Sequence, residues 1–323
     1  LTVVPLWDVP SSELDTNTDF INAVRVRTRR ENIPAYSILS KIYGHDSFQM
    51  HAEAVAYIGF TGSLLPGEID QPIAICLQSI MNWDEGAGEY TCTAGRMINS
   101  GGNAATNNTA GWTNFSQDPC DTASVPTVRP LICANLNPEL SVGQGMGTVG
   151  GMQDNVYRDL RDCWLGAGLD TTGNGIPDQP WPLKLPVVDC PSNNISPCSV
   201  LMGAVDVNVL WIKDSGTDPQ WLDVPLEMHG TLDGVIPDWT CSHKTAPEIE
   251  VADLTEAQRQ ACFYEFGAAF DLLRADDVPL DGLTPSDVQK TMFFRPDCSP
   301  HELAGRTGGI NTGVLAKIPV LEQ

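Results

Sequence analysis

Oxygen-bearing side chains recur at alternate positions in the segment 170–178, which reads Asp-Thr-Thr-Gly-Asn-Gly-Ile-Pro-Asp. A hard cation such as calcium takes about six to eight oxygen ligands, and a short acidic loop with glycines at its bends can supply several of them. The spacing therefore predicts a calcium site, with calcium as the cofactor. The predicted ligands are the side chains of Asp170, Thr172, Asn174 and Asp178, together with the backbone carbonyl of Ile176.

This segment resembles the Asp-x-Asp-Gly-Asp-Gly-x-x-Asp calcium loops of dockerins and thrombospondin type 3 repeats. It departs from them at Thr172 and Asn174, which are neutral, and Trp181 stands where a bidentate glutamate would close a twelve-residue loop. Fewer charged ligands predict weaker binding. The alternative interpretation is a turn rich in Asp and Asn that holds no ion.

The charge balance restricts the partners that the chain can have. Its 323 residues include 41 acidic and 18 basic ones, for a net charge of −23. Such a charge disfavours nucleic acid and anionic membrane surfaces, because their phosphates would be repelled. No segment approaches the roughly 20 apolar residues of a membrane span. Because the sequence begins at Leu1, we expect any signal or anchor to lie upstream.

The chain has ten cysteines, and none of them form a Cys-x-x-Cys motif. Zinc ribbons, thioredoxin-like sites and haem attachment sites are therefore disfavoured, and disulfides formed in an oxidising compartment are the natural explanation. Connectivity does not follow from spacing. As working pairs we predict Cys190–Cys198, which flank a turn-rich segment, and Cys241–Cys262.

Periodicity indicates a strand–helix–strand unit within residues 1–80 that is continuous with the core. Residues 22–29 alternate apolar or small with charged residues, as a strand does, and place Arg25, Arg27 and Arg29 on one face. That face is either a solvated surface or a docking stripe for an acidic partner. A helix is predicted over 34–43, beginning at Pro34, and a second strand over 47–60.

The remainder, 81–323, is predicted to be a loop-rich, disulfide-bonded and β-rich region. Helices are expected at 152–165 and 255–274, the second opened by a capping box of Thr255 and Gln258. Strands are predicted over 181–189, 199–212, 291–294 and 314–320, and 72–80 is a short apolar run that carries Cys76. The fold class is thus a β-rich α+β ectodomain, stapled by disulfides and carrying long irregular loops.

Motifs for catalysis are missing from the sequence. It contains no Gly-x-Ser-x-Gly and no His-Glu-x-x-His, since Gly305 stands where the second histidine after His301-Glu302 would be. We therefore expect a protein that is not an enzyme, with no catalytic residues. Five tryptophans could form a platform for sugars or, more commonly, anchor the core; they are Trp112, Trp181, Trp211, Trp221 and Trp239.

Seven short segments of the sequence carry a resemblance to a known family: 23–29, 43–48, 52–60, 70–76, 175–178, 297–301 and 315–321. Together they resemble TadG-like proteins of bacterial tight-adherence (Tad, Flp) pilus systems. In that family a membrane helix precedes a strand–helix–strand unit, and some members carry a von Willebrand factor A module. Neither the helix nor the module is recognisable here. The resemblance implies an exported protein at the bacterial cell surface or in the periplasm, with pilus or envelope proteins as partners.

Together these observations predict a non-enzymatic structural or assembly protein that acts through protein–protein contacts and is stabilised by disulfides and calcium. One alternative is a subunit that polymerises with further copies of itself, calcium relieving repulsion between chains that each carry −23. A second is a calcium-dependent carbohydrate-binding or adhesive module. A secreted hydrolase with an unrecognised site is the third.

Overall fold

A computed structural model describes the backbone of thirteen segments of the chain. They are 23–36, 47–57, 62–77, 98–99, 109–150, 154–190, 195–214, 221, 223–230, 238–272, 290–295, 298–301 and 320–322. The chain divides into two compact units, Leu1–Ser63 with Glu302–Gln323, and Leu64–His301. The boundary that the sequence predicts near residue 80 stays a prediction. Within the described segments, no helix has the length and apolar character to cross a bilayer.

The first unit contains a three-stranded antiparallel sheet in the order β1-β2-β16. Its strands are β1 (Ala23–Tyr36), β2 (Ser47–Tyr57) and β16 (Val320–Glu322). Both N-terminal strands were predicted from alternation of residue types. The last predicted strand, 314–320, overlaps β16 only at Val320, and its other residues lie outside the described ones.

The predicted helix at 34–43 is wrong at its start. Residues 34–36 belong to β1, where Ala35 pairs with Phe48 and Tyr36 with Ser47; residues 37–43 lie outside the described part. The register shifts between Arg30 and Ala35, so the proline falls in a bulge rather than at a helix start. Proline cannot donate a ladder hydrogen bond and is tolerated at such irregularities, after which cross-strand pairing resumes.

The second unit is organised around a mixed sheet in the order β14-β11-β10-β4-β6-β5, with β8 and β15 on β11 and β9 on β6. Its principal strands are β4 (Ile73–Cys76), β6 (Thr109–Thr113), β10 (Trp181–Val188), β11 (Ser199–Lys213) and β14 (Thr291–Phe294). The short strands are β5 (Ile98–Asn99), β8 (Gly145–Met146), β9 (Thr148–Val149) and β15 (Ser299–Pro300). Two further pairs are β3 (Ser63–Leu64) with β7 (Leu140–Ser141), and β12 (Glu227–Met228) with β13 (Trp239–Thr240).

Three α-helices lie in the described part of this unit. The first, α1 (Val125–Val128), runs into a 3-10 turn at Arg129–Leu131. The second, α2 (Asp154–Leu165), and the third, α3 (Glu256–Ala269), confirm the two predicted helices. A second 3-10 turn, Val251–Asp253, precedes α3.

Local sequence signals predict the start of α3 correctly but not its end. Thr255 is the N-cap, and its hydroxyl accepts from the Gln258 amide while the Gln258 side chain accepts from the Thr255 amide, as the capping box predicts. The helix stops earlier than predicted, at Ala269. Asp271 adopts φ +51° and the Leu272 amide donates to the Gly267 carbonyl, so the chain turns away from the helix there.

Aromatic side chains join the helices to the sheet in one hydrophobic core. Trp112 meets Tyr157 of α2 edge-on, and Trp211 stacks on Phe293 and meets Phe263 of α3 edge-on. Trp112 and Trp211 are about 1% exposed or less, as is Trp221, which stacks on Phe263. These three rings are core anchors and are covered from solvent; Trp181 and Trp239 are half-buried against the same core.

Four disulfides are described, which confirms the disulfide-bonded α+β part of the predicted fold. They are Cys76–Cys190, Cys120–Cys198, Cys133–Cys163 and Cys241–Cys262. Cys298 is also disulfide-bonded. The predicted pair Cys241–Cys262 is confirmed, but Cys190–Cys198 is wrong. Cys190 follows the end of β10, and the parallel pairing of β10 with β4, which sets Val188 opposite Cys76, brings the Cα atoms of Cys76 and Cys190 to 5.5 Å.

Candidate metal centre

The predicted calcium loop connects α2 to β10 and is closed by its own backbone. The amides of Asp178 and Gln179 both donate to the carbonyl of Leu169, which brings the two ends of the loop together. Gly173 and Gly175 have φ of +77° and +84°, a conformation that glycine adopts without the steric cost of a side chain. The two glycines that the sequence placed at the bends therefore do bend the chain.

Asp170 turns its carboxylate inward, onto the backbone of its own loop. It accepts hydrogen bonds from the amides of Gly173 at 2.6 Å, Gly175 at 2.7 Å and Asn174 at 3.3 Å. Burial of the group acts to raise its pKa, but the combined amide donors outweigh burial, so the pKa of Asp170 lies below its usual value. Asp170 is thus held ionised by amide dipoles.

Thr172 and Asn174, two further predicted ligands, also form hydrogen bonds within the loop. The Thr172 hydroxyl donates to Asp170 at 3.4 Å, and the side-chain oxygen of Asn174 accepts from the Ile176 amide at 2.8 Å. Both arrangements are typical of the Asp- and Asn-rich turn that the sequence left open as an alternative. Calcium binding by Asp170, Thr172, Asn174, Ile176 and Asp178 stays a prediction.

Asp178 differs from Asp170 in being buried. It is only 1% exposed, and its carboxylate accepts from the Thr171 amide and hydroxyl and from the Thr172 amide over 2.8–3.1 Å. These three donors are neutral. Among the described residues no Lys or Arg forms an ion pair with Asp178, although buried carboxylates are usually paired or bound to metal.

The β12–β13 hairpin places two further polar side chains beside Asp178. Its strand β12 pairs Glu227 with Thr240 and Met228 with Trp239. Side chains alternate along an extended strand, and Met228 is fully buried in the core, so Glu227 and His229 share the opposite side. The His229 amide also donates to the Asp178 carbonyl, which joins the hairpin to the end of the loop.

Asp178, Glu227 and His229 together form a cluster that could hold a metal ion. One potential ligand atom from each lies within 4.8 Å of the other two. Glu227 is mostly buried and forms an ion pair through Oε1 with the buried ammonium of Lys244. The segment that follows β13 is attached to α3 by the Cys241–Cys262 disulfide and by Ser242, whose amide and hydroxyl both donate to the Glu265 carboxylate.

Of the five predicted ligands, the structure brings only Asp178 into this cluster. Glu227 and His229 were not predicted as ligands, since they fall in the part of the loop-rich region 81–323 for which no strand or helix was predicted. A signal was present: Glu-Met-His puts two possible ligands on either side of one apolar residue, which is the spacing of a strand with a buried face.

His301 lies in a second polar cluster. Its Nδ1 is 3.0 Å from the Asp206 carboxylate and its Nε2 is 3.3 Å from that of Glu68. The hydrogen bond with Asp206 raises the pKa of His301; burial opposes this, and the charges of Asp206 and Glu68 add to it. Since the two ring nitrogens face different carboxylates, the imidazole acts as a bridge between them.

Comparison with known proteins gives no relative from which a function could be carried over: no protein-family model, curated protein or solved structure matches this chain.

Proposed function

We propose that this chain is a non-enzymatic structural or assembly protein of a bacterial pilus or filament system, located at the cell surface or in the periplasm and acting through protein–protein contacts. Its partners are pilus or envelope proteins. Disulfides and a bound divalent cation, calcium in the sequence-based version, stabilise the fold. The local likeness to TadG-like proteins supports the pilus assignment.

The observation that carries the proposal is the way the disulfides connect the fold. Cys76–Cys190 and Cys120–Cys198 join segments separated by 114 and 78 residues, and so tie distant parts of the second unit to one another. Crosslinks of this kind form and persist in oxidising compartments. Such crosslinks stabilise a fold by restricting its unfolded chain, which suits a protein that works outside the cytoplasm.

The direct experiment is deletion of the gene in its bacterial host. Loss of surface pili in electron micrographs and loss of adherence, restored by the wild-type gene, would support the proposal. Restoration by a variant with Cys76→Ser and Cys190→Ser should be poor, while Arg158→Gln, an exposed change on α2, should restore fully. Unchanged pilus number and adherence in the deletion strain would contradict it.

A more specific version is that copies of the chain polymerise. Arg25, Arg27 and Arg29 occupy alternate positions of β1, opposite Val55, Glu53 and His51 in the register with β2. Basic residues at alternate positions in a chain of net charge −23 favour contact with an acidic face of another copy. Changing all three arginines to glutamine should then reduce assembly.

Electron microscopy of the purified protein, with calcium and with EDTA, tests this version. Filaments in calcium that disappear in EDTA and in the triple arginine variant are the expected result. Monodisperse monomers of the wild type in both buffers would remove the polymer version and leave the pilus assignment to the deletion experiment. The adhesive alternative is tested separately on a glycan array in calcium buffer, where absence of binding would remove it.

A further inference from the structure

We propose that Asp178, Glu227 and His229 bind one divalent transition-metal ion of the zinc type, and that this ion fastens the 170–178 loop to the β12–β13 hairpin. The site shares Asp178 with the predicted calcium loop but differs from it in its other two ligands and in its metal. It does not depend on the pilus assignment, so the two proposals can fail separately.

The chemistry of the ligands favours such an ion over calcium. Calcium takes oxygen ligands, about six to eight of them, whereas imidazole nitrogen is a preferred ligand of zinc and of neighbouring transition metals. His229 with Asp178 and Glu227 supplies one nitrogen and two carboxylates. Three protein ligands leave a further position of a tetrahedral zinc ion for water.

Burial of charge is the second argument. Asp178 is 1% exposed, and in the described part of the chain its carboxylate receives only neutral donors. Glu227 is close to it and is balanced by Lys244. The two carboxylates and one ammonium therefore leave an excess negative charge beside His229, which a divalent cation would neutralise next to the buried Asp178 carboxylate.

The cluster is also held in position by groups that do not themselves bind the ion. Thr171 and Thr172 orient the Asp178 carboxylate, as second-sphere donors orient metal ligands in proteins. The three donors make five contacts of 2.8–3.1 Å with the two oxygens of that carboxylate and so fix its orientation. On Glu227, Lys244 contacts Oε1, so Oε2 remains for a metal.

The first test uses the wild-type chain with its disulfides intact. After treatment with EDTA and removal of the chelator, zinc chloride is titrated while histidine resonances are followed by NMR and bound metal is counted by mass spectrometry. We expect one zinc per chain, a change in the His229 resonances but not in those of His243, and a higher melting temperature. Calcium at the same concentration should leave the His229 resonances unmoved.

Variants then distinguish zinc binding at the Asp178–Glu227–His229 cluster from metal binding at the predicted calcium loop. His229→Ala and Glu227→Gln should each weaken zinc binding by roughly tenfold or more, in line with the loss of a ligand. His243→Ala is the matched control and should leave zinc binding unchanged. Asp170→Asn removes a predicted calcium ligand but none of the three cluster ligands, so it should weaken zinc binding far less than His229→Ala. Near-ultraviolet circular dichroism shows whether each variant is folded, and the NMR titration of the wild type decides the question if one is not.

Three results would overturn the inference. The first is no change in the His229 resonances at saturating zinc. The second is zinc binding that survives His229→Ala with unchanged affinity, which would place the ion elsewhere. The third is calcium binding that Asp170→Asn abolishes and His229→Ala does not, without zinc binding at the cluster, which would restore the oxygen-only loop as the metal site.

Discussion

The Nδ1 atom of His301 lies 3.0 Å from the carboxylate of Asp206, across 95 residues of sequence. The contact exists because the His301 amide donates to the Ala204 carbonyl, extending the pairing of β15 with β11. Glu68 approaches the other nitrogen of the ring. A single imidazole therefore joins the segment after β3 to the segment after β15.

This contact predicts that stability depends on pH. The folded pKa of His301 is raised above its unfolded value of about 6.5, so its contribution is complete below that value and is lost as pH rises through the folded pKa. His301→Asn should remove roughly 0.5–1 kcal/mol at low pH, a modest figure because Asp206 is 44% exposed, and should have less effect at alkaline pH. Urea unfolding across this pH range measures the effect.

The control for His301 is a double-mutant cycle with Asp206→Asn. If the contact is responsible, the two single variants should flatten the same part of the pH dependence, and the double variant should lose little more than either one. Fully additive losses, or a pH dependence unchanged by His301→Asn, would show that other groups cause it.

Substitution of Tyr157 is expected to stabilise the protein, whereas substitution of His301 is expected to destabilise it. The Tyr157 ring is fully buried against Trp112, its hydroxyl has no hydrogen-bond partner among the described residues, and burial raises the pKa of that hydroxyl. An unpaired buried hydroxyl costs free energy, so Tyr157→Phe should raise the free energy of unfolding by about 1 kcal/mol. Thermal or urea unfolding checks this.

Tyr264 on α3 is the matched control. Its hydroxyl accepts from the Gln260 side chain at 2.9 Å, so Tyr264→Phe removes a hydrogen bond and should lower stability by about 0.5–1.5 kcal/mol. Equal effects of the two substitutions would contradict the explanation.

Asp170 should make the loop sensitive to acid even without metal. Its folded pKa is below the unfolded value of about 3.9, so its stabilisation is present above that value and is lost as pH falls through the folded pKa. Asp170→Asn should lower stability near neutral pH by less than about 1 kcal/mol, because solvent screens this partly exposed group. Local amide exchange at Gly173 and Gly175, in EDTA, is the sensitive measurement.

Asp162→Asn, an exposed change on α2, is the control for Asp170 and should leave exchange in the loop unaltered. If Asp170→Asn also leaves the exchange of the two glycine amides unaltered, the hydrogen bonds assigned to its carboxylate do not hold the loop.

The disulfides predict a graded loss of stability. By the chain-entropy argument, removal of Cys241–Cys262, which spans 21 residues, should cost about 3 kcal/mol, and removal of Cys76–Cys190, which spans 114, about 5 kcal/mol. Paired Cys→Ser variants compared by denaturant unfolding measure both. The first variant should also weaken zinc binding at His229, because its disulfide supports the hairpin; the reverse ranking of stability would argue against the entropic explanation.

Much of the second unit was predictable because its signals are local. Alternation of residue types in β11 and the apolar stripe of α2 follow from side-chain period, and the capping box fixes the start of α3. The incorrect helix start at Pro34 had an equally good local signal, but the partner strand β2 supplies pairing that the isolated segment lacks.

The Asp178–Glu227–His229 cluster was likewise predictable only in part. Asp178 was predicted as a ligand from the spacing of oxygens around it, whereas Glu227 and His229 lie about fifty residues away in the sequence and meet it only through the contact between loop and hairpin. Likewise, Cys190 and Cys198 are close in sequence, but they form disulfides with different partners. Cys190 bonds to Cys76 and Cys198 to Cys120, both distant in the chain.

By itself, the sequence determined α2, the start of α3, the long strands β10 and β11, the turns at Gly173 and Gly175, the strong negative charge and the presence of disulfides, because these follow from side-chain period, backbone freedom and composition. Only the tertiary structure decided which cysteines pair, which tryptophans are covered and which carboxylates share a histidine. Those properties depend on distances between residues far apart in the chain, and such distances are set by the pairing of strands and the packing of the core.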